Sequence, residues 1–336
     1  MLGEVAVDEA VRGKLAAGEK PRAPGMKYRH YAPKAPVTVV AGSPQRSAAW
    51  ILGRVQEGDG VICFDEFASL FSRCTIHTLG PVSDKKVQAQ RVFDALRAFD
   101  ETSVMRIYAQ CPDETGLGLA VGNRLKKAAG FQVEQAGEGL AFGLTGGTGA
   151  GKTSALRALE RLGGYILDCD ALYHEMLRSD APMKQAIIAA FGDVFLPDGT
   201  LDRQKLGQVV FQDKSAMARL NDIVYAHLVP EAARRAGSRE LVGYDAINVI
   251  ESGLGLLCCR TVGITAPAEV RIQRIMARDG IGEEYARMRI AAQKTDEFYR
   301  QHCTDVLENT EDSAAAFEEK ALAFFKRLIE EETTHE

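Results

Sequence analysis

Gly146-Gly147-Thr148-Gly149-Ala150-Gly151-Lys152-Thr153 match the pattern G-x-x-x-x-G-K-[ST] without a mismatch, and no other stretch of this chain leaves less freedom in what it folds into. Glycines let the backbone take positive φ and bring several N–H groups around one phosphate. The helix N-terminus expected after the loop adds partial positive charge. Lys152 is expected to bridge the β- and γ-phosphates of a nucleoside triphosphate as a compact cation. The Thr153 hydroxyl is expected to coordinate Mg²⁺. The flanks agree. Phe142-Gly143-Leu144-Thr145 reads as a strand leading in, and Ala155, Leu156, Leu159 and Leu162 space a helix leading out to Gly163-Gly164. ATP and Mg²⁺ are therefore the expected ligands, and a glycine-rich turn that binds nothing is the competing reading.

The loop does not say which group receives the phosphate. The next apolar run, Tyr165-Ile166-Leu167, leads into Asp168-Cys169-Asp170. Read as an extended segment, carboxylates two residues apart share one side. The carboxyl end of a parallel strand is where open α/β sheets bind ligands. One carboxylate can organise Mg²⁺ and its water, and the other can accept a proton from an attacking hydroxyl. A pair of solvated turn aspartates is the plainer alternative.

LTGGTGAGKT followed by ILDCDALYHEML resembles the phosphate loop and Asp-x-Asp segment of the dephospho-CoA kinase family. FGDVFLPDGTLDRQKLGQVVF (191–211), Ile250-Glu251 and Val306 to Asn309 continue the resemblance, which covers about residues 140–330. Residues 264–293 are similar to that family's lid, with Arg274, Arg278, Arg289 and Gln293 matching. The resemblance implies a P-loop NTPase-type parallel-sheet kinase domain that phosphorylates the ribose 3′-hydroxyl of dephospho-CoA. It implies Asp170 as the base, with Asp168 supporting it and helping Thr153 hold Mg²⁺, partly through water. Arg274 would contact ATP, and Arg278 would neutralise charge on the transferred phosphoryl group. Ion pairing of these arginines with Glu269 or Asp279 is the alternative. Two departures fall on the acceptor side. Tyr225-Ala226 stands where the family has His-Pro, with His227 shifted two places, and Ile247-Asn248 replace a proline and leucine before the strand glutamate. They keep a different nucleoside or nucleotide kinase in play.

A length of 336 residues suggests a second unit, at about 100–200 residues per domain. Charge changes along the chain: residues 1–137 hold 18 basic against 15 acidic side chains, and residues 138–336 hold 23 against 31. Neither part has the basic face of a nucleic-acid binder, so no direct nucleic-acid partner is expected. The expected division is an extended, proline-bearing segment 1–36, a Rossmann-like α/β domain 37–137 and the kinase domain 138–336. In the middle part strands are expected at 37–42, 60–64 and 104–110, and helices at 43–56, 84–101 and 119–129. Pro24-Gly25-Met26-Lys27-Tyr28-Arg29-His30-Tyr31-Ala32-Pro33 resembles the linker of long threonylcarbamoyl-AMP synthases. Residues 3–135 resemble the carboxy-terminal domain of that family, through LRAFDET (96–102), Gly116-Leu117-Gly118-Leu119-Ala120 and Asn123-Arg124-Leu125. That family's catalytic domain would precede residue 1. No synthase activity is expected of this half, and a separate synthase catalytic domain is an expected partner.

Seven cysteines without CxxC spacing read as reduced, mostly buried thiols. No apolar run reaches the roughly 20 residues that span a bilayer. The amino terminus carries early acids and no long apolar stretch, so a cytoplasmic protein without a secretory signal is expected.

Overall fold

The structure is a computed structural model that describes residues 32–334, so nearly all of the extended segment, including Lys27 to Tyr31, lies outside the described residues. The chain divides into two compact units between Glu138 and Gly139.

The amino-terminal unit is a five-stranded sheet of β1 (Val37–Ala41), β2 (Gly60–Cys63), β3 (Thr75–Thr78), β4 (Ile107–Gln110) and β5 (Val133–Gln135). All its pairings are parallel, in the order β3-β2-β4-β1-β5. Val39, Val40, Val61, Ile62 and Ile107 are fully buried, which is why these short runs settle as central strands. Helix Pro44–Leu52 starts on a proline that needs no N–H partner, with Ser43 accepting from Arg46 N at 3.3 Å. Helix Lys85–Ala98 is capped by Asp84, and helix Gly116–Ala128 begins three residues before the expected start. Buried Gln110 accepts from Phe64 N at 3.0 Å and donates to Pro44 O and Ser47 Oγ at 2.8 and 2.9 Å, tying three connections to one side chain. The expected elements do not include β3, β5 or the 3₁₀ helix Asp65–Phe71. Thr-Ile-His-Thr is a half-buried edge strand without the apolar run that marks its neighbours.

The carboxy-terminal unit has β6 (Leu140–Gly146) at the centre, with β7 (Tyr165–Asp168), β8 (Leu241–Asp245), β9 (Arg260–Thr265) and β10 (Asp305–Glu308). The order is β10-β9-β6-β8-β7 and every pairing is parallel. Helices Lys152–Arg161 and Ala314–Thr334 cover one face. There Phe142, Leu144, Ala155, Leu159, Ile264, Phe317 and Phe325 form one core, with Phe142 and Phe325 edge to face at 5.6 Å. Helix Lys152–Arg161 ends as expected: Gly163 at φ +88° lets Gly164 N reach Leu159 O at 3.0 Å.

Two local expectations are corrected. The extended run stops at Asp168, so Asp168 and Asp170 are not neighbours on one side of a strand. The Asp168 carboxylate accepts from Ala171 N at 2.9 Å, which starts helix Cys169–Ser179 and places Asp170 in its first turn. Glu251 lies in a turn, because the strand it was expected to end is complete at Asp245. All seven cysteines are unbridged. Among the described residues no helix is long and apolar enough to cross a membrane.

Candidate active site

The phosphate loop is held from outside by side chains. Arg271 Nε donates to Thr148 O at 3.0 Å, Arg274 to Gly149 O at 3.3 Å and Asn309 Nδ2 to Ala150 O at 2.8 Å. Three successive carbonyls are thereby turned toward donors. A trans peptide sets its N–H opposite to its C=O, so the N–H groups of Gly149 and Gly151 face the other way, toward the space an anion would fill. The Gln293 side chain accepts from Thr148 N at 2.9 Å and from Arg271 at 2.7 Å, and donates to Thr148 Oγ1 at 2.7 Å. Arg271 was missed in the sequence, although it lies one turn before Arg274 and Ile275 on a helix whose apolar stripe faces inward. It is only 4% exposed.

Gly151 shows why alanine cannot replace glycine here. Its φ is +109°, and an added Cβ would sit 2.3 Å from Asn309 Nδ2. Gly151→Ala is expected to cost about 1–3 kcal/mol in backbone strain alone and to push Asn309 off the loop. Thermal melting checks this: Tm falls, and the rise in Tm on adding ATP is lost.

Inside the loop Lys152 pairs with Asp245, at the end of β8. Asp245 stands in register with Asp168 across the β7–β8 pairing, so two strand-end carboxylates are neighbours. Asp245 was also missed, yet Leu241-Val242-Gly243-Tyr244-Asp245 is another apolar run ending in a carboxylate. Thr153 is exposed in the first helical turn after the loop. The Asp170 carboxyl is raised above its usual value, first by partial loss of water around it at the cavity, although the residue as a whole stays exposed. Asp168 and Asp245 add to the rise and Lys152 opposes it. A carboxylate so placed is a better proton acceptor than one in water.

The oxygen donors of Thr153, Asp168 and Asp245 suit Mg²⁺, a hard cation. Among the described residues no three acidic, histidine or cysteine groups converge to hold a metal by themselves.

Asp170 lines a cavity of about 210 Å³ together with Tyr173, Leu220, Asn221, Val224, Ile247 and Ser252. Both departures from the expected family pattern, Tyr225 and Asn248, line the same cavity. His227 is directed elsewhere: it faces Asp180 at 3.4 Å and joins two helices.

The lid helices Ala268–Asp279 and Glu283–Ala291 pack through Ile272, Ile275 and Ala286. Arg274 reaches the loop and also donates to Asn309 Oδ1 and Glu311 O at 3.3 and 3.2 Å. Arg278 and Arg289 do not reach it. Both pair with Asp279 at 2.6 Å, and these hydrogen bonds hold the Asp279 carboxyl down at about 2.

Residues 140–315 match the family model described as dephospho-CoA kinase, and residues 1–130 match that of the threonylcarbamoyl-AMP synthase C-terminal domain. The dephospho-CoA kinase of Geobacter metallireducens is 36% identical over 197 residues, 57% of this chain and 98% of that protein. That of Thermobifida fusca is 35% identical over 175 residues, 51% of this chain and 88% of the relative. The Streptomyces avermitilis dephospho-CoA kinase is 39% identical over 163 residues, 47% of this chain and 79% of the relative.

Proposed function

The chain belongs to the dephospho-CoA kinase family and is an ATP-dependent phosphotransferase; we propose that it moves the γ-phosphate of ATP onto the ribose 3′-hydroxyl of dephospho-CoA, the last step of coenzyme A biosynthesis, in the cytoplasm. The observation that carries the reading is Asp170, a carboxylate with a raised proton affinity that faces a cavity beside the phosphate-loop lysine. Gly146, Gly147, Thr148, Gly149, Ala150 and Gly151 wrap the triphosphate. Lys152 exchanges Asp245 for the β- and γ-phosphate oxygens. The acceptor oxygen forms its bond to the γ-phosphorus as the bond to ADP breaks, and its proton passes to Asp170.

Arg274 holds the loop in register with the lid from behind, beside Arg271. Arg278 would serve the transferred phosphoryl group by exchanging Asp279 for phosphate oxygens, a match of planar fork to oxyanion. Thr153 and Asp168 would hold Mg²⁺, Asp168 partly through water, with Asp245 beside them. When bound, the ion neutralises charge on the phosphate oxygens.

The test is ADP release by the full chain with ATP and a set of acceptors. ADP is expected with dephospho-CoA. No ADP with dephospho-CoA rejects the proposal, and preference for a nucleoside or nucleotide supports the other kinase class.

The amino-terminal unit is assigned no synthase chemistry. The match of residues 1–130 supports a docking role toward a separate threonylcarbamoyl-AMP synthase catalytic domain. Co-purification with that domain supports it, and failure to bind at micromolar concentration removes it.

A further inference from the structure

Arg271 lies in the first turn of lid helix Ala268–Asp279, and Gln293 follows the end of lid helix Glu283–Ala291 by two residues. The two residues therefore mark where the chain enters the lid and where it leaves it. We propose that Arg271 and Gln293 are positioning residues for the triphosphate: they close on Thr148 and hold the first half of the phosphate loop in its anion-binding shape, so that loop and lid base move as one piece. This role rests on the loop being the ATP site and is independent of which acceptor is used.

Three observations carry it. First, three side chains distant in sequence form a closed ring. Arg271 Nε donates to Thr148 O at 3.0 Å, and Arg271 Nη2 donates to Gln293 Oε1 at 2.7 Å. Thr148 N donates to the same Gln293 oxygen at 2.9 Å, and Gln293 Nε2 donates to Thr148 Oγ1 at 2.7 Å. The N–H, the carbonyl and the hydroxyl of Thr148 are thus all engaged by the base of the lid. One planar guanidinium serves two acceptors at once, which suits arginine better than a lysine ammonium.

Second, the ring has little slack. Arg271 is 4% exposed, so its charge depends on the loop carbonyl and on Gln293 for partners. A Cβ at Gly147 would lie 2.3 Å from Arg271 Nη2, 2.8 Å from its Cζ and 2.9 Å from Gln293 Oε1. The φ of Gly147 is not positive. What excludes a side chain there is the lid guanidinium, not the backbone.

Third, main chain also seats the lid on the loop. A Cβ at Gly149 would lie 3.0 Å from Arg271 O and 3.2 Å from Arg271 Cα. Gly149 presents its N–H to the space for the anion, so a shift of Arg271 reaches a phosphate-binding group through one contact. A loop shaped in advance by protein side chains loses less binding free energy to ordering when nucleotide arrives.

Calorimetric titration of the full chain with ATP, beside steady-state kinetics with dephospho-CoA, decides the matter. Gln293→Ala removes three of the four ring hydrogen bonds and is expected to weaken ATP binding about tenfold or more, with KM for dephospho-CoA unchanged. Gln293→Glu keeps two acceptor oxygens, and the Thr148 hydroxyl can turn its proton toward one of them, so most of the ATP affinity should return. Gly147→Ala should weaken ATP binding about tenfold in the parent by displacing Arg271, and far less in an Arg271→Ala chain, where nothing fills that space. Unchanged ATP affinity in Gln293→Ala, no recovery in Gln293→Glu, or an equal effect of Gly147→Ala in both backgrounds overturns the pair. A rise in KM for dephospho-CoA that matches the loss of ATP affinity also overturns it, since that is the mark of a general structural defect. If the parent binds ATP but does not phosphorylate dephospho-CoA, the acceptor assignment falls and the ATP titrations alone support or overturn the pair. A parent that does not bind ATP withdraws the loop reading and the pair together.

Discussion

Lys152→Ala is expected to lower kcat by about 10²–10³-fold or more, the loss found when one preorganised donor to a developing anion is removed. Two effects act together in this chain. The ammonium that would lie on the β- and γ-phosphates is gone. Asp245, which that ammonium neutralises before nucleotide binds, is left bare beside Asp168 and Asp170. Three carboxylates would then face an incoming triphosphate with no lysine among them. Asp245→Asn in the same chain should restore melting temperature and part of the ATP affinity, but not kcat, since no cation returns. Single-turnover kinetics with separate nucleotide titration checks this. Activity of Lys152→Ala close to that of the parent would contradict the role assigned to the loop.

Asp170→Asn is expected to lower kcat by about 10²–10⁴-fold, the range for loss of a positioned base. The fold should gain from the same change. The Asp170 carboxyl is raised in the folded protein, mainly by partial desolvation of an otherwise exposed residue, so the effect on stability is small. A raised carboxyl binds its proton more tightly folded than unfolded. Its contribution to stability is thus full below the unfolded value and is lost as pH rises through the folded value. At neutral pH the ionised group opposes folding, so Asp170→Asn should melt higher than the parent there. The gap should close on acidification. In the parent, kcat/KM should fall as pH drops through the raised Asp170 value, because the base is then protonated. An Asn variant that melts lower than the parent at neutral pH would show that Asp170 is a structural carboxylate. Such a site trades stability for chemistry.

How much was legible depended on whether a residue works through local or distant partners. Gly146 to Thr153 and the helix after them were readable because the motif, its strand and its helix are contiguous. The alternating strands and helices of both units were readable because buried parallel strands are short apolar runs. Asp168 and Asp170 were recognised as a pair, but their geometry was misread. Spacing alone does not say that Asp168 will cap a helix and end the strand. Arg271 and Asp245 act over 123 and 93 residues of sequence, and nothing near either one announces its partner. Tyr225 and Asn248, separate departures from a family pattern in the sequence, line one cavity, which a single sequence cannot reveal.

The central claim is a sugar hydroxyl activated by Asp170 beside a loop-bound triphosphate. Its most direct measurement is the fate of labelled γ-phosphate when the full chain is incubated with ATP and dephospho-CoA. The account predicts that the label appears on the ribose 3′-oxygen of the product, in amounts equal to the ADP formed. Label found in inorganic phosphate or on any other atom of the acceptor would contradict it.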